Sequence, residues 1–319
     1  MEEMQKPKGL NKSFGLKMAI VMVMSAIIGS GVFKKVAPMA ELLHAPWLVI
    51  LAWLLAGVVI LFGVLSIAEL GAIYPHSGGA YSWLEKIYGR GISFLYGWAC
   101  FTVIQTAAIS SIAFVFAGAL DTFVPLPHLS VEWENISLFG LHFFRNFGAK
   151  LASCLLIILL TVVNIKGTKK GGHLSFLFTA LISISIITVI VAAFSSSTGS
   201  VATFKTASVE YPSEGFGTAA FLSSMVLAMR SAFWGYEGWI ALGFIGGEIK
   251  DAEKNLPRAL IIGIFVIIIF YLLINAAYLY VMPVDELLRA VKADENSIAA
   301  VLVVDKILGF GGSYIISGM

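Results

Sequence analysis

Apolar runs follow one another along almost the whole chain, separated by short polar stretches. The first, residues 18–33, carries no charge, and the spacing predicts a membrane helix over about residues 17–37. A second span is expected over about residues 46–73, with no charge between Ala45 and Ala68, and Pro75-His76-Ser77-Gly78-Gly79 stops it. Residues 81–88 read as a short interfacial helix. Further spans are expected over about 91–120, 147–165, 172–194, 217–247 and 259–282. The last of these is charge-free and long enough to cross a hydrocarbon core of roughly 30 Å. Residues 121–150 form the longest and most mixed loop, and 195–214 a Ser/Thr-rich one. A polar loop to about Asn296 leads into a final apolar run, 298–319, which has no polar stop after Met319 and reads as part of a longer protein.

Two of these spans are interrupted in the middle. In the first, Gly29, Ser30 and Gly31 stand in a row within Ala26-Ile27-Ile28-Gly29-Ser30-Gly31-Val32-Phe33. Glycine disfavours a helix interior by roughly 1 kcal/mol relative to alanine, and clustered Gly/Ser is a recognised cause of a kink. Freed backbone groups at membrane depth are tolerated only when buried in protein or facing a watery cavity. Taken alone, the stretch is therefore either a close helix–helix contact or a place where bare backbone meets a ligand. The second interruption, Phe233-Trp234-Gly235-Tyr236-Glu237-Gly238-Trp239, adds a carboxylate to two glycines in the sixth span. A charge at the centre of a bilayer helix costs at least about 2.5–3.5 kcal/mol and usually faces the protein interior or water. Glu237 is thus a site candidate, against the plainer reading of a salt bridge, with Arg230 as partner, or a protonated structural carboxyl.

Broken spans at matching positions of two halves are the best sequence pointer to a transporter site. A broken helix presents N–H groups, favoured by the dipole for an anion, at the start of its second half, and carbonyls at the end of its first. A ligand with a carboxylate and an ammonium on neighbouring atoms, an α-amino acid, fits both.

Composition sharpens the class. Hydrophobic residues are 59% and charged residues 13% of the chain, where a soluble domain carries about a quarter charged. This is a protein of the lipid bilayer, and a net charge of +2 gives no footprint for nucleic acid. A secretory signal peptide is the competing reading of the N-terminus, but multispanning segments follow it at once. Twelve basic residues (Lys6, Lys8, Lys12, Lys17, Lys86, Arg90, Lys166, Lys169, Lys170, Lys250, Lys254, Arg258) collect on one side. Seven (Lys34, Lys35, Arg145, Lys150, Lys205, Arg289, Lys292) fall on the other, which sets the amino terminus inside. Cys100 and Cys154 sit in apolar segments and read as buried free thiols. Glu69 and Glu248 lie near span ends as structural or gating partners of basic loop residues. His173 reads as interfacial, Asn164 and Asn275 as interhelical hydrogen-bonding groups, and Asn135-Ile136-Ser137 matches a glycosylation acceptor common by chance. No phosphate loop, zinc signature, haem ligand pair or nucleophile elbow is found. No catalytic group, metal or cofactor is expected, and the chain is not expected to be an enzyme.

Ile27 to Phe33 resembles the helix-1 signature of the amino acid–polyamine–organocation (APC) superfamily. Phe233 to Trp239, with Gly247-Glu248-Ile249-Lys250-Asp251-Ala252-Glu253-Lys254-Asn255-Leu256-Pro257, resembles its L-type amino acid transporter (LAT) branch through a Y-x-G-W and an E-(x)n-NLP pattern. Ala68-Glu69-Leu70 and Pro75 to Tyr81 are similar to that branch's helix 2–3 turn. The resemblance runs from about Leu10 to the end. It implies an all-α LeuT-type inverted-repeat fold with broken helices 1 and 6, seen here to about helix 8, and secondary-active exchange or uptake of amino acids by alternating access. Residues 1–16 would be a cytoplasmic tail and 17–319 the transporter domain, with 17–198 a first repeat and 215–319 part of a second. Ile27, Gly29, Ser30 and Gly31 would meet the substrate's amino and carboxylate groups through backbone atoms. Trp234 falls where the family has an aromatic gate. Gly235 and Glu237 would line the side-chain pocket.

Three departures qualify this. Some sodium-independent relatives carry a lysine in helix 5, whereas 174–194 has none and Ile182 is near the expected place, leaving the coupling mode open. The loop before helix 4 lacks the cysteine through which animal light chains bond a heavy-chain glycoprotein. No such disulfide-linked partner is expected, and a bacterial inner membrane is the expected location. The helix-8 serines that hold sodium in coupled relatives would lie beyond Met319. The alternatives are a polyamine or nucleobase permease of the same fold and, from other classes, an ion channel or an intramembrane enzyme.

Overall fold

The computed structural model describes residues 12–29, 31–121, 123–137, 142–165, 168–212, 215, 217–293 and 298–309. The described residues are almost entirely helical, with one isolated parallel bridge pair, Phe14 with Ile249. The helices, in chain order, are α1 (Leu16–Ile27), α2 (Gly31–Lys34), α3 (Val36–Leu43), α4 (Pro46–Ile73), α5 (Gly79–Tyr88), α6 (Arg90–Asp121), α7 (Val131–Glu134), α8 (Phe147–Ile165), α9 (Thr168–Ser195), α10 (Val201–Lys205) and α11 (Thr218–Tyr236). A 3₁₀ helix, Trp239–Glu248, continues α11. It is followed by α12 (Ala252–Val281), α13 (Val284–Ala293) and α14 (Ala299–Leu308).

Five stretches among the described residues are long and apolar enough to cross a membrane: α4, α6, α8, Ser175–Ser195 of α9, and α12. They divide by burial. Half of the apolar window of α12 and 39% of that of α4 lie inside the protein, against 11% for α6 and α8. The centre is therefore α4 on α12, with α1 against α12 and α11 against α4. Small residues allow the close approach, for bilayer helices pack by contact rather than by hydrophobic exclusion. A Cβ on Gly263 of α12 would fall 2.7 Å from Val23 of α1, and one on Gly57 of α4 would fall 3.0 Å from Ile268 of α12. On the outside, α6 and α8 turn Phe94, Trp98, Phe101, Ile112, Leu155 and Ile158 outward, the surface expected to meet lipid. One widened π-helical turn, Cys100–Ile104, interrupts α6.

The first span does not end at residue 37. The Lys35 N–H bonds to Gly31 O at 3.0 Å and the Met39 N–H to Lys35 O at 3.3 Å, so α2 and α3 form one bent helix to Leu43, where His44 turns left-handed. Pro38 stands just past the bend, where its missing N–H removes the bond a straight helix would return to residue 34. The seventh span begins at Ala252, seven residues earlier than expected. Its polar first turns (Glu253, Lys254, Arg258) extend past the apolar stretch that marks it in the sequence. The loop at 195–214 is also more structured than its composition suggests. Ser200 caps α10 by accepting from Thr203 N–H at 3.1 Å. Ser208 joins the chain reversal after α3 to α13, its N–H bonding His44 O at 2.7 Å and its hydroxyl donating to Asp285 Oδ1 at 2.5 Å.

At the opposite face of the bundle, the segment before α1 is bonded to the segment after the 3₁₀ helix. Ser13 and Phe14 N–H groups donate to Glu248 O at 2.8 and 3.1 Å, and Lys250 N–H donates to Phe14 O at 2.8 Å.

Candidate functional site

The two interruptions meet. α1 stops at Ile27 because Ile28 turns extended (φ −69°, ψ 110°), and Gly29 beyond it is exposed. α11 stops at Tyr236; Glu237 is extended and Gly238 takes φ +111°. Two glycine contacts bring the breaks together. A Cβ on Gly31 would lie 2.8 Å from Gly235 Cα, closer than real Cβ atoms come, so the two backbones touch. A Cβ on Gly238 would overlap Ala26 O. Gly238 is thus required twice, for its left-handed backbone and for the space that α1 occupies.

Both helix ends share one side-chain partner. The Tyr271 hydroxyl of α12 lies 2.9 Å from Gly235 O and 3.2 Å from Ile27 O, fully buried. The last carbonyls of a helix have no partner within it. At this buried junction such carbonyls need a donor, and Tyr271 supplies one hydrogen between the two. The ring is held in turn: Trp53, Tyr236 and Tyr271 form a triangle with centroids 5.1–5.6 Å apart, mostly edge-on. The Tyr236 hydroxyl donates to Trp53 O at 3.2 Å. Gly235 leaves room for the indole, since its Cβ would fall 2.8 Å from Trp53.

Of the residues singled out in the sequence, Ile27, Gly31 and Gly235 stand at this junction. Trp234 lies against Gly31, whose Cβ would sit 3.4 Å from Trp234 Cδ1, and remains 48% exposed. A Cβ on Gly29 would meet only Ile27 O, at 4.0 Å, so the position is uncrowded. Glu237 lies at the break and is exposed, and among the described residues no ion pair joins it to Arg230. Ser30 lies outside the described residues. The side chain of His173 does too. Asn275 is buried, but its Nδ2 donates 2.7 Å to Tyr271 O in its own helix rather than across helices. Asn164 and Glu69 are exposed. For Glu248 it is the backbone carbonyl, through the bond to the tail, that is engaged. Cys100 and Cys154 are free thiols, but neither is fully buried as expected: the first is half-buried and the second exposed, because α6 and α8 turn those faces outward.

Three participants were not singled out as site residues in the sequence: Tyr271, Trp53 and Lys35, whose ammonium sits 5.3 Å from the Trp234 ring centroid. A tyrosine in an apolar span carries a hydroxyl that must find an acceptor, and Tyr271 with Asn275 one turn on marks one polar face of α12. That signal was available. Trp53 offers none among so many apolar neighbours.

Two discontinuous helices crossing at their breaks on a central helix pair define the class: a LeuT-type transport fold. Residues 14–319 match the family model for amino acid permeases. The chain belongs to that family, in the LAT-like branch of the APC superfamily. It is 32% identical over 301 residues to the serine/threonine exchanger SteT of Bacillus subtilis, covering 94% of this chain and 62% of that protein. It is 30% identical over 304 residues to the large neutral amino acids transporter small subunit 2 of Rattus norvegicus (94% and 52%). It is 27% identical over 289 residues to the b(0,+)-type amino acid transporter 1 of Homo sapiens (90% and 55%). The chain thus spans roughly half to three fifths of the length of these relatives.

Proposed function

We propose that this protein is a secondary-active amino acid transporter, exchanging or taking up α-amino acids by alternating access from an inner bacterial membrane with its amino terminus inside. The observation that carries the reading is the junction itself. A pair of helix breaks, held backbone to backbone at Gly31 and Gly235, brings the carbonyls of Ile27 and Gly235 together at the Tyr271 hydroxyl. In this reading the N–H groups of residues 29–31 take the substrate carboxylate and carbonyls near Ile27 its ammonium. Trp234 closes over the ligand, and Glu237 lines the side-chain pocket. Residues 17–198 form the first of two inverted repeats and 215–319 part of the second. Relatives named for exchanging serine and threonine and for transporting neutral amino acids support an α-amino acid over a polyamine or a nucleobase.

The test is a competition panel in liposomes reconstituted with the full-length protein. Uptake of one labelled neutral amino acid is challenged with neutral, cationic and acidic amino acids, a polyamine and a nucleobase, with and without internal amino acid. Inhibition by α-amino acids with stimulation from inside is the expected result. Inhibition by the polyamine or nucleobase alone overturns the substrate. Glu237→Gln should change the ranking among neutral and cationic competitors. An unchanged ranking removes Glu237 from the pocket.

A further inference from the structure

Lys35 has no counterpart among the features that explain the junction. It is a basic residue on the side of the bundle poor in basic residues, immediately after the glycine-rich break. Its position relative to Gly31 is the informative point. The Lys35 N–H bonds to Gly31 O at 3.0 Å, so the two residues are one helical turn apart on one face of the bent helix. Both touch the same side chain. Gly31 approaches Trp234 Cδ1, a Cβ there falling 3.4 Å away, and the Lys35 ammonium stands 5.3 Å from the centroid of the ring. A bare backbone on one side lets the indole in, and a cation on the next turn attracts its π face.

We infer that Lys35 is a positioning residue for Trp234, holding the indole against the helix that follows the first break, so that the ring and that helix move as one unit when the site opens and closes. The inference rests on the reading of Trp234 as a gate. Lys35 touches no substrate in this scheme. It acts by setting where Trp234 rests and how readily it leaves.

The experiment uses the full-length protein in liposomes and follows release of a pre-bound labelled amino acid alongside equilibrium binding. The variants are Lys35→Met, which keeps the length of the chain and removes the charge, Lys35→Arg, Trp234→Leu and the double variant Lys35→Met/Trp234→Leu. A cation over a half-exposed indole predicts release about two- to fivefold faster in Lys35→Met. Lys35→Arg should stay near wild type, and the double variant should be no faster than Trp234→Leu alone. If Lys35→Met is poorly folded by size-exclusion chromatography, Lys35→Gln takes its place in the same cycle with Trp234→Leu. Wild-type release from Lys35→Met with fast release from Trp234→Leu overturns the role of Lys35 and leaves the gate intact. Wild-type release from Trp234→Leu overturns the gate itself. Effects that multiply in the double variant overturn the contact as their cause.

Discussion

At the scale of single residues, the junction is built from atoms that are absent as much as from those present. Gly31 is required for what it lacks: a methyl group there meets Gly235 Cα at 2.8 Å, and backbone cannot rotate away as a side chain can. Gly31→Ala is expected to cost about 1–3 kcal/mol, the usual penalty for overpacking, and to abolish transport before it abolishes folding. Thermal unfolding in detergent beside uptake in liposomes separates the two. Tyr271 is required for one hydrogen. Tyr271→Phe keeps the aromatic triangle and leaves two buried carbonyls without their donor, which should lower stability by about 1–3 kcal/mol. The same melting experiment reads it, and an unchanged melt would mean the carbonyls find another donor.

At the scale of elements, the sequence and the structure part company in instructive places. Both breaks were legible, since Gly29-Ser30-Gly31 and Gly235 to Gly238 contradict the apolar runs that contain them. The path of the chain beyond each break was not. After the first, the span is expected to end at about residue 37, yet the helix bends and continues to Leu43. The backbone of Lys35 bridges the bend by bonding both Gly31 and Met39, and Pro38, which lacks an N–H, accounts for the bend. After the second, the chain winds as a 3₁₀ helix for ten residues, Trp239–Glu248, longer than such helices usually run. No residue there announces the tighter winding. Its start is fixed by Gly238, whose φ of +111° and contact with Ala26 O admit no side chain. Gly238→Ala should therefore be more damaging than Gly31→Ala, adding about 1–3 kcal/mol of backbone strain to the clash. Equal melting temperatures for the two variants would show that the 3₁₀ segment relaxes at little cost.

At the scale of the whole molecule, the class was readable from pattern and composition, because a bilayer leaves few ways to satisfy a backbone. The packing order was not. That α4 and α12 form the centre, and α6 and α8 the flank, depends on which faces carry small residues. An apolar helix looks alike on every side to a hydropathy scan. The tertiary partners of loop residues such as Ser208 and Asp285, 77 positions apart, were invisible for the same reason: nothing local marks a distant pair.

The backbone pairing of Phe14 with Ile249 has a mechanical consequence. Three hydrogen bonds tie the chain ahead of the first helix to the chain behind the second broken one, at the face away from Leu43 and His44. A tie of this kind is a clasp, and a transporter that opens toward that face must undo it on every cycle. At about 0.5–1.5 kcal/mol per bond, the three together lower the population of the unfastened state while leaving it thermally accessible. Ser13→Pro removes one N–H donor to Glu248 O while leaving the buried Phe14 ring packed in the core. It should speed turnover a few-fold without changing which amino acids compete. A turnover unchanged within error would mean that the clasp stays fastened while cargo passes.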